Sequence, residues 1–327
     1  MARIIISTKD MPHEEWLEYR RLGIGGSDAG AIIGMNPYAT PYSVWADKTG
    51  RLPEKEDNEA MRQGRDFEDY VAKRFEEKSG KRVRRYNYML MHEQHDFITA
   101  NIDRAVLGEH AGLECKTTSI LNLKKFKDEE FPDQYYAQCV HYLAVTGWDR
   151  WYLAVVVLGS DFKIYMLTRK KDDVCPDWCE SMVYVDDGEI ALLTGAEVEF
   201  WKTYVEPDKA PPVDGFKPTT DALSAIYQGG DDEIVALGEI DVIKGYLDVK
   251  SDIKALEKAK ESYEQALKAK LGDCERGECG GYAVTWRTQQ RNSFDFKRFA
   301  KEHPEVDLSS YYNSTTYRVF GVKEVKN

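Results

Sequence analysis

The 327-residue sequence predicts a mixed α/β protein: a central mixed sheet flanked by helices, with a helical and β appendage at the C-terminus. Three observations predict it. Helical patterns dominate to residue 80; three strand-like segments, one helix and two more strands then follow in that order. The stretch 151–158 is apolar throughout, as in a strand buried on both faces, and forms a hairpin with 162–167 across Gly159-Ser160-Asp161. Pro207, Pro211, Pro212, Gly215 and Pro218 crowd one short stretch, so a linker is placed at 206–231, between a domain over 1–205 and a module over 232–327.

The first helix spans 12–21, with Pro12 at its start, Glu14 and Glu15 in its first turn and Arg20 and Arg21 in its last. Next comes Gly23-Ile24-Gly25-Gly26-Ser27-Asp28, leading into a small-residue helix over 29–34, which Ser27 or Asp28 can cap. A glycine turn before a helix N-terminus presents N–H groups to an anion; glycines equally permit close helix packing. A helix over 42–49 follows Thr40-Pro41, then a polar loop at 51–58. In the helix over 60–78, Phe67, Val71 and Phe75 form an apolar stripe. Glu68, beside that stripe, is either a solvated charge or a carboxylate facing the sheet.

Strands are expected at 82–90 and 97–102, and a basic link at 121–127. Pro132 opens a helix over 133–145 whose Gln134, Gln138 and His141 form one polar stripe, lining a wet cleft or facing solvent. A further helix is expected at 188–205. Residues 232–272 read as one long helix or a helical hairpin broken near Gly245, followed by a strand at 282–287, a helix at 294–303 and a last strand at 317–322.

The chemistry concentrates at Asp103 and at Gly112-Leu113-Glu114-Cys115-Lys116-Thr117. Glu114 and Lys116 are two apart on a strand, so they leave the same face. If Asp103 ends the neighbouring strand, two carboxylates meet there, which suits a hard divalent cation. The lysine beside them can orient water or offset charge developing on a phosphate. An exposed hairpin with ordinary charges gives the same local spacing, so the surroundings must decide.

The net charge is −12, an obstacle to nucleic-acid binding only if evenly spread. Residues 1–170 hold 25 Lys and Arg against 26 Asp and Glu, and the acidity is C-terminal. Basic clusters at 81–85, 124–127 and 169–171 lie in the first part. No apolar run reaches the roughly 20 residues of a membrane span, and the apolar part of the N-terminus is too short for a signal peptide. The expected location is the cytoplasm. The six cysteines are too few and too irregularly spaced for a disulfide framework or a standard zinc site.

The chain resembles the YqaJ-type viral recombinase nucleases, related to phage lambda exonuclease within the PD-(D/E)XK superfamily. The resemblance covers residues 12–170 and rests on four features in the family's order. These are Arg20 to Ser27 in an R-x6-S arrangement, Gly64 to Glu68 as G-x3-E, Asp103 followed by Glu114-x-Lys116, and Tyr-x2-Gln-x2-His-Tyr-Leu carrying Gln138. No proline precedes the aspartate; Ile102 stands there.

The resemblance implies a restriction-endonuclease-like core in which Asp103, Glu114 and the backbone carbonyl of Cys115 bind Mg²⁺, or Mn²⁺ in its place, as two ions. Lys116 would position the attacking water, Glu68 would sit beside the metals, and Gln138 would orient the site. Arg20, or its neighbour Arg21, would hold the 5′-phosphate of DNA with Ser27. It further implies 5′→3′ degradation of linear duplex DNA for phage-type recombination in a bacterial host, a single-strand annealing partner of the RecT/Bet type, and a homo-oligomer such as a trimeric ring. Two other readings carry different expectations: an iron–sulfur exonuclease of the CRISPR-associated type, which needs four clustered cysteines, and a DNA-end-binding protein without catalysis.

Overall fold

The computed structural model describes residues 2–53, 58–127, 129–230, 233–314 and 317–324. Part of the polar loop expected at 51–58 lies outside these residues. The chain forms two units, Met1–Tyr227 and Gln228–Asn327.

The first unit opens with β1 (Arg3–Ser7), α1 (His13–Arg21), α2 (Gly26–Ile32), α3 (Pro41–Lys48) and α4 (Glu59–Ser79). Local chemistry sets the ends of these helices. At the start of α3 the Thr40 side chain accepts from the Ser43 amide, the Ser43 hydroxyl accepts from the Thr40 amide, and Pro41 occupies the first turn. Asn58 caps α4, and Gly80, at φ 72°, ends it. Val71 and Phe75 of α4 are fully buried; withdrawing a side chain of that size from water contributes about 1.5–3 kcal/mol.

The strands follow: β2 (Val83–Arg85), β3 (Tyr88–Met91), β4 (Thr99–Asn101), β5 (Arg104–Val106) and β6 (Ala111–Thr118). After a short 3-10 segment at Ile120–Phe126 come α5 (Asp133–Thr146), β7 (Arg150–Val157), β8 (Asp161–Thr168), β9 (Ser181–Tyr184), α6 (Asp187–Phe200) and α7 (Lys217–Ile226). They build a six-stranded sheet of order β2-β5-β6-β7-β8-β9 and a three-stranded sheet of order β1-β3-β4. The pairs β6–β7 and β8–β9 are parallel and the other pairs of the larger sheet antiparallel, so the sheet is mixed.

β7 shows why its sequence is continuously apolar. Trp151, Leu153, Val155 and Val157 join the core that α5 covers, whereas Tyr152, Ala154 and Val156 join the core that α4 covers. A third core joins α2, α3 and α7 through Ala31, Trp45 and Ala222. Gly112 of β6 lies under the Trp151 indole, where an added Cβ would stand 2.3 Å from the ring, so no larger residue fits.

Several expectations are corrected. The stretch 82–90 is two strands, β2 and β3, which belong to different sheets. β1 and β9 were not foreseen. Residues 206–231 do not all link: α7 docks on α3 through a Thr40–Thr219 hydroxyl hydrogen bond of 2.8 Å. Pro218 there starts a helix, a position that tolerates its missing N–H.

The second unit contains α8 (Ile240–Leu271), a hairpin of β10 (Arg276–Cys279) and β11 (Tyr282–Thr285), and α9 (Phe296–Glu302). α8 is unbroken at Gly245; one glycine costs a helix only about 1 kcal/mol and the flanking residues propagate it. Residues 317–322, expected as a strand, have no regular structure.

Candidate active site

Asp103 lies between β4 and β5, at the point where the chain leaves the three-stranded sheet for the six-stranded one. β5 pairs antiparallel with β6, Arg104 opposite Leu113, which brings Asp103 alongside Glu114. The Cys115 amide donates to Asp103 Oδ2 at 2.8 Å. Glu114 and Lys116 pair across the ladder with Leu153 and Val155, so both face α5. Lys116 Nζ lies 2.5 Å from Glu114 Oε1 and 5.3 Å from the centre of the Tyr135 ring.

Gln138 of α5 completes this cluster. Its amide nitrogen donates to Glu114 Oε1 at 2.7 Å and approaches the Tyr142 hydroxyl at 2.9 Å. Glu114 is 3% exposed, and its Oε2 has no hydrogen-bond partner among the described residues. Buried carboxylate oxygens are costly when unpartnered, so that atom marks a place for a donor or a cation.

The charges express the same crowding. Burial raises the Asp103 carboxyl well above the usual carboxylate range, and Glu114 and Glu68 push it in the same direction. Burial opposes the Lys116 ammonium, but Glu114 and Asp103 outweigh it and hold that group above its ordinary value. Lys116 is therefore a fixed cation at neutral pH.

Glu68 sits on α4, tied by a short ion pair to Arg104. Arg104 was not anticipated. It is 3% exposed, donates to the Asp103 carbonyl at 2.7 Å, and reaches Asp69 at 2.6 Å. Its guanidinium fastens α4 to the strand carrying Asp103. A basic residue after an aspartate looks like surface charge in sequence; only its burial reveals the tie.

Arg20 and Ser27 form a second cluster. Arg20 Nη2 donates to Ser27 Oγ at 2.7 Å, and its guanidinium stacks over Trp16 at 5.3 Å. Beneath them, buried Lys48 pairs with Asp28 at 2.7 Å and donates to the Arg20 carbonyl at 3.1 Å. The Asp28 carboxylate in turn accepts from the Gly25 amide at 2.9 Å, closing the turn. Burial would raise the Asp28 carboxyl, but Lys48 and Arg20 hold it below its usual value. Gly26 packs against α5, where an added Cβ would stand 2.7 Å from the Tyr142 ring and 3.1 Å from Gln138 Cγ. The Arg20–Ser27 corner thus reaches Glu114 through two contacts, Gly26 on Gln138 and Gln138 on Glu114.

The polar stripe of α5 divides. Gln138 joins the cluster; His141 does not. His141 is fully buried, its Nδ1 lying 2.7 Å from Glu197 of α6 and its Nε2 2.8 Å from the Thr99 carbonyl. This pair fastens α5 to α6 and β4 instead of lining a cleft. Arg21 is half-buried in the last turn of α1, beside the Arg20 that holds Ser27.

Residues 15–149 match the YqaJ-like viral recombinase domain. A protein of Bacillus subtilis (strain 168) described as uncharacterized protein YqaJ is 37% identical over 331 residues, covering 99% of this chain and 98% of the relative. The chain belongs to the YqaJ family. Among solved structures, an alkaline exonuclease from Laribacter hongkongensis aligns with 58% of this YqaJ-family chain and 91% of its own, at 17% identity and TM-score 0.45. A phage-related exonuclease from Haemophilus somnus 129PT aligns with 59% of the chain and 97% of its own, at 13% identity and TM-score 0.43. The match over 15–149 takes in Arg20, Ser27, Glu68, Asp103, Glu114, Lys116 and Gln138. No helix among the described residues is long and apolar enough to cross a membrane.

Proposed function

We propose that this YqaJ-family protein is a metal-dependent DNA exonuclease that degrades linear duplex DNA 5′→3′, leaving 3′ overhangs for phage-type recombination in the cytoplasm of a bacterial host. The observation that carries the reading is the convergence of Asp103, Glu114 and Lys116 on one face, with a buried Glu114 oxygen lacking a partner among the described residues. That donor set fits a hard cation: two carboxylates, hard oxygen ligands only, and two like charges in need of compensation. Asp103, Glu114 and the Cys115 carbonyl would hold Mg²⁺ or Mn²⁺, with Glu68 alongside. Such ions supply an activated water and stabilise the attacking and leaving oxygens of the phosphodiester.

The protein's own groups do the rest. Lys116, a permanent cation, orients the nucleophilic water and offsets charge developing on the phosphate. Gln138 fixes one oxygen of Glu114, leaving the other aimed for use. Arg104 holds Glu68 and the Asp103 backbone in place. Arg20 and Ser27, supported by Lys48, suit a terminal phosphate, for which a guanidinium offers paired donors. That corner is what favours a 5′-end-directed reaction. A RecT/Bet-type annealing protein and a ring-shaped homo-oligomer belong to this reading as implied partners.

The test uses linear duplex DNA labelled at one 3′ end, with and without a 5′-phosphate, incubated with Mg²⁺ or with EDTA. Progressive loss from the 5′ end is expected, faster with the phosphate and abolished by EDTA and by Lys116→Ala. Intact DNA with the wild-type protein sinks the nuclease reading. Cleavage indifferent to the phosphate sinks the assignment of Arg20 and Ser27.

A further inference from the structure

α8 runs 32 residues and buries none of them. Its apolar residues are not scattered. From Val242 to Leu267 one series of them occupies successive positions three and four apart, with Ile243 and Leu247 beside it: Val242, Tyr246, Val249, Ile253, Leu256, then Lys260 as the one polar member, then Tyr263 and Leu267. This is a heptad seam, the pattern by which one helix packs along another. It faces solvent, with Leu256 69% and Tyr263 74% exposed, and Tyr246 meets the Phe320 ring of its own unit.

We propose that α8 pairs antiparallel with α8 of a second copy of this chain, forming a two-stranded coiled coil. The seam is self-complementary in one register. With Ile253 opposite Leu256 of the second copy, Tyr246 meets Tyr263, Val242 meets Leu267, and Val249 covers the stem of Lys260. The charges agree with that register. Glu239 faces Lys270 at each end, and on the flank Lys250 faces Glu257, each pair occurring twice by symmetry. A parallel pair is disfavoured, because Lys260 would stack on Lys260 and Asp252 would face Glu257. Antiparallel registers one heptad away set Lys250 on Lys250 or Glu257 on Glu257. The contact lies wholly in the second unit and is independent of the nuclease reading and of any ring assembled by residues 1–227.

The test measures the mass of the full chain by sedimentation over a range of concentrations, without DNA. Leu256→Asp is expected to remove a twofold step in mass, while circular dichroism keeps its helical signal, since that side chain is largely exposed. Lys250→Glu and Glu257→Lys are each expected to weaken the association about tenfold, from the two symmetry-related flank contacts that turn from attraction to repulsion. The double exchange is expected to restore it. A mass unaffected by Leu256→Asp overturns the proposal, because the chain then associates elsewhere or not at all. Single exchanges without effect overturn the antiparallel register.

Discussion

At Asp103 the folded protein holds a carboxylate where two others crowd it. Its folded pKa lies above the unfolded value, so the ionised group opposes folding, and stability is lost as pH rises from the unfolded value through the folded one. Asp103→Asn is therefore expected to raise the melting temperature of the EDTA-treated protein at neutral pH by several degrees, and to abolish cleavage. Added Mg²⁺ should stabilise the wild type and leave that variant unmoved. A scanning-calorimetry series with and without the cation reads both effects. Arg104 gives a second expectation. Arg104→Met keeps the volume and loses the ties to Glu68, Asp69 and the Asp103 carbonyl, so the cleavage rate should fall at least tenfold while DNA-end affinity in EDTA changes little. Single-turnover rates set against EDTA binding curves separate the two. The contrast between these neighbours explains what sequence discloses. Asp103, Glu114 and Lys116 are legible because chemistry fixes both their types and their spacing. Arg104 is not, because nothing local distinguishes a buried arginine from a solvated one.

At the scale of elements, α5 teaches the same lesson. Gln138 and His141 share a polar stripe, yet a three-residue step turns the second away from the cleft and into the α5–α6–β4 junction. Glu197, its partner, lies 56 residues further on, beyond the reach of any periodicity. Both ring nitrogens face oxygen atoms, an arrangement that favours the doubly protonated imidazole. Burial pulls its pKa down, but the Glu197 charge and the hydrogen bonds to Glu197 and Thr99 outweigh it and raise it above the ordinary value. The sign follows: stability from this pair is fully present below the unfolded imidazole pKa of about 6.5 and is lost as pH rises through the folded value. Urea midpoints measured across the alkaline range should fall in the wild type and flatten in His141→Phe. That variant should also lose about 3–5 kcal/mol at neutral pH, because Glu197 is left buried and unpaired. The strands were harder to read than the helices for a related reason. Only Tyr86 and Asn87 separate β2 from β3, and their partners, β5 for one and β1 with β4 for the other, divide them between sheets.

Over the whole molecule, the prolines at 207–218 suggested a boundary, but the division falls after Tyr227, because α7 docks on α3 before the chain leaves the first unit. A fragment of residues 1–227 is accordingly expected to fold cooperatively and retain cleavage, while losing the association that α8 provides. Thermal melts, the DNA assay and sedimentation of the fragment check the three parts separately.

Only Ile102 and Asp103 separate β4 from β5, and those strands belong to different sheets. The carboxylate thus takes its coordinates from two hydrogen-bonded ladders at once. A slip of either ladder misaligns it with Glu114 while each sheet stays whole. The joint is a narrow-tolerance coupling: a substitution in the small sheet that shifts β4 is expected to lower activity before it lowers the melting temperature, which rate measurements set beside thermal melts would check.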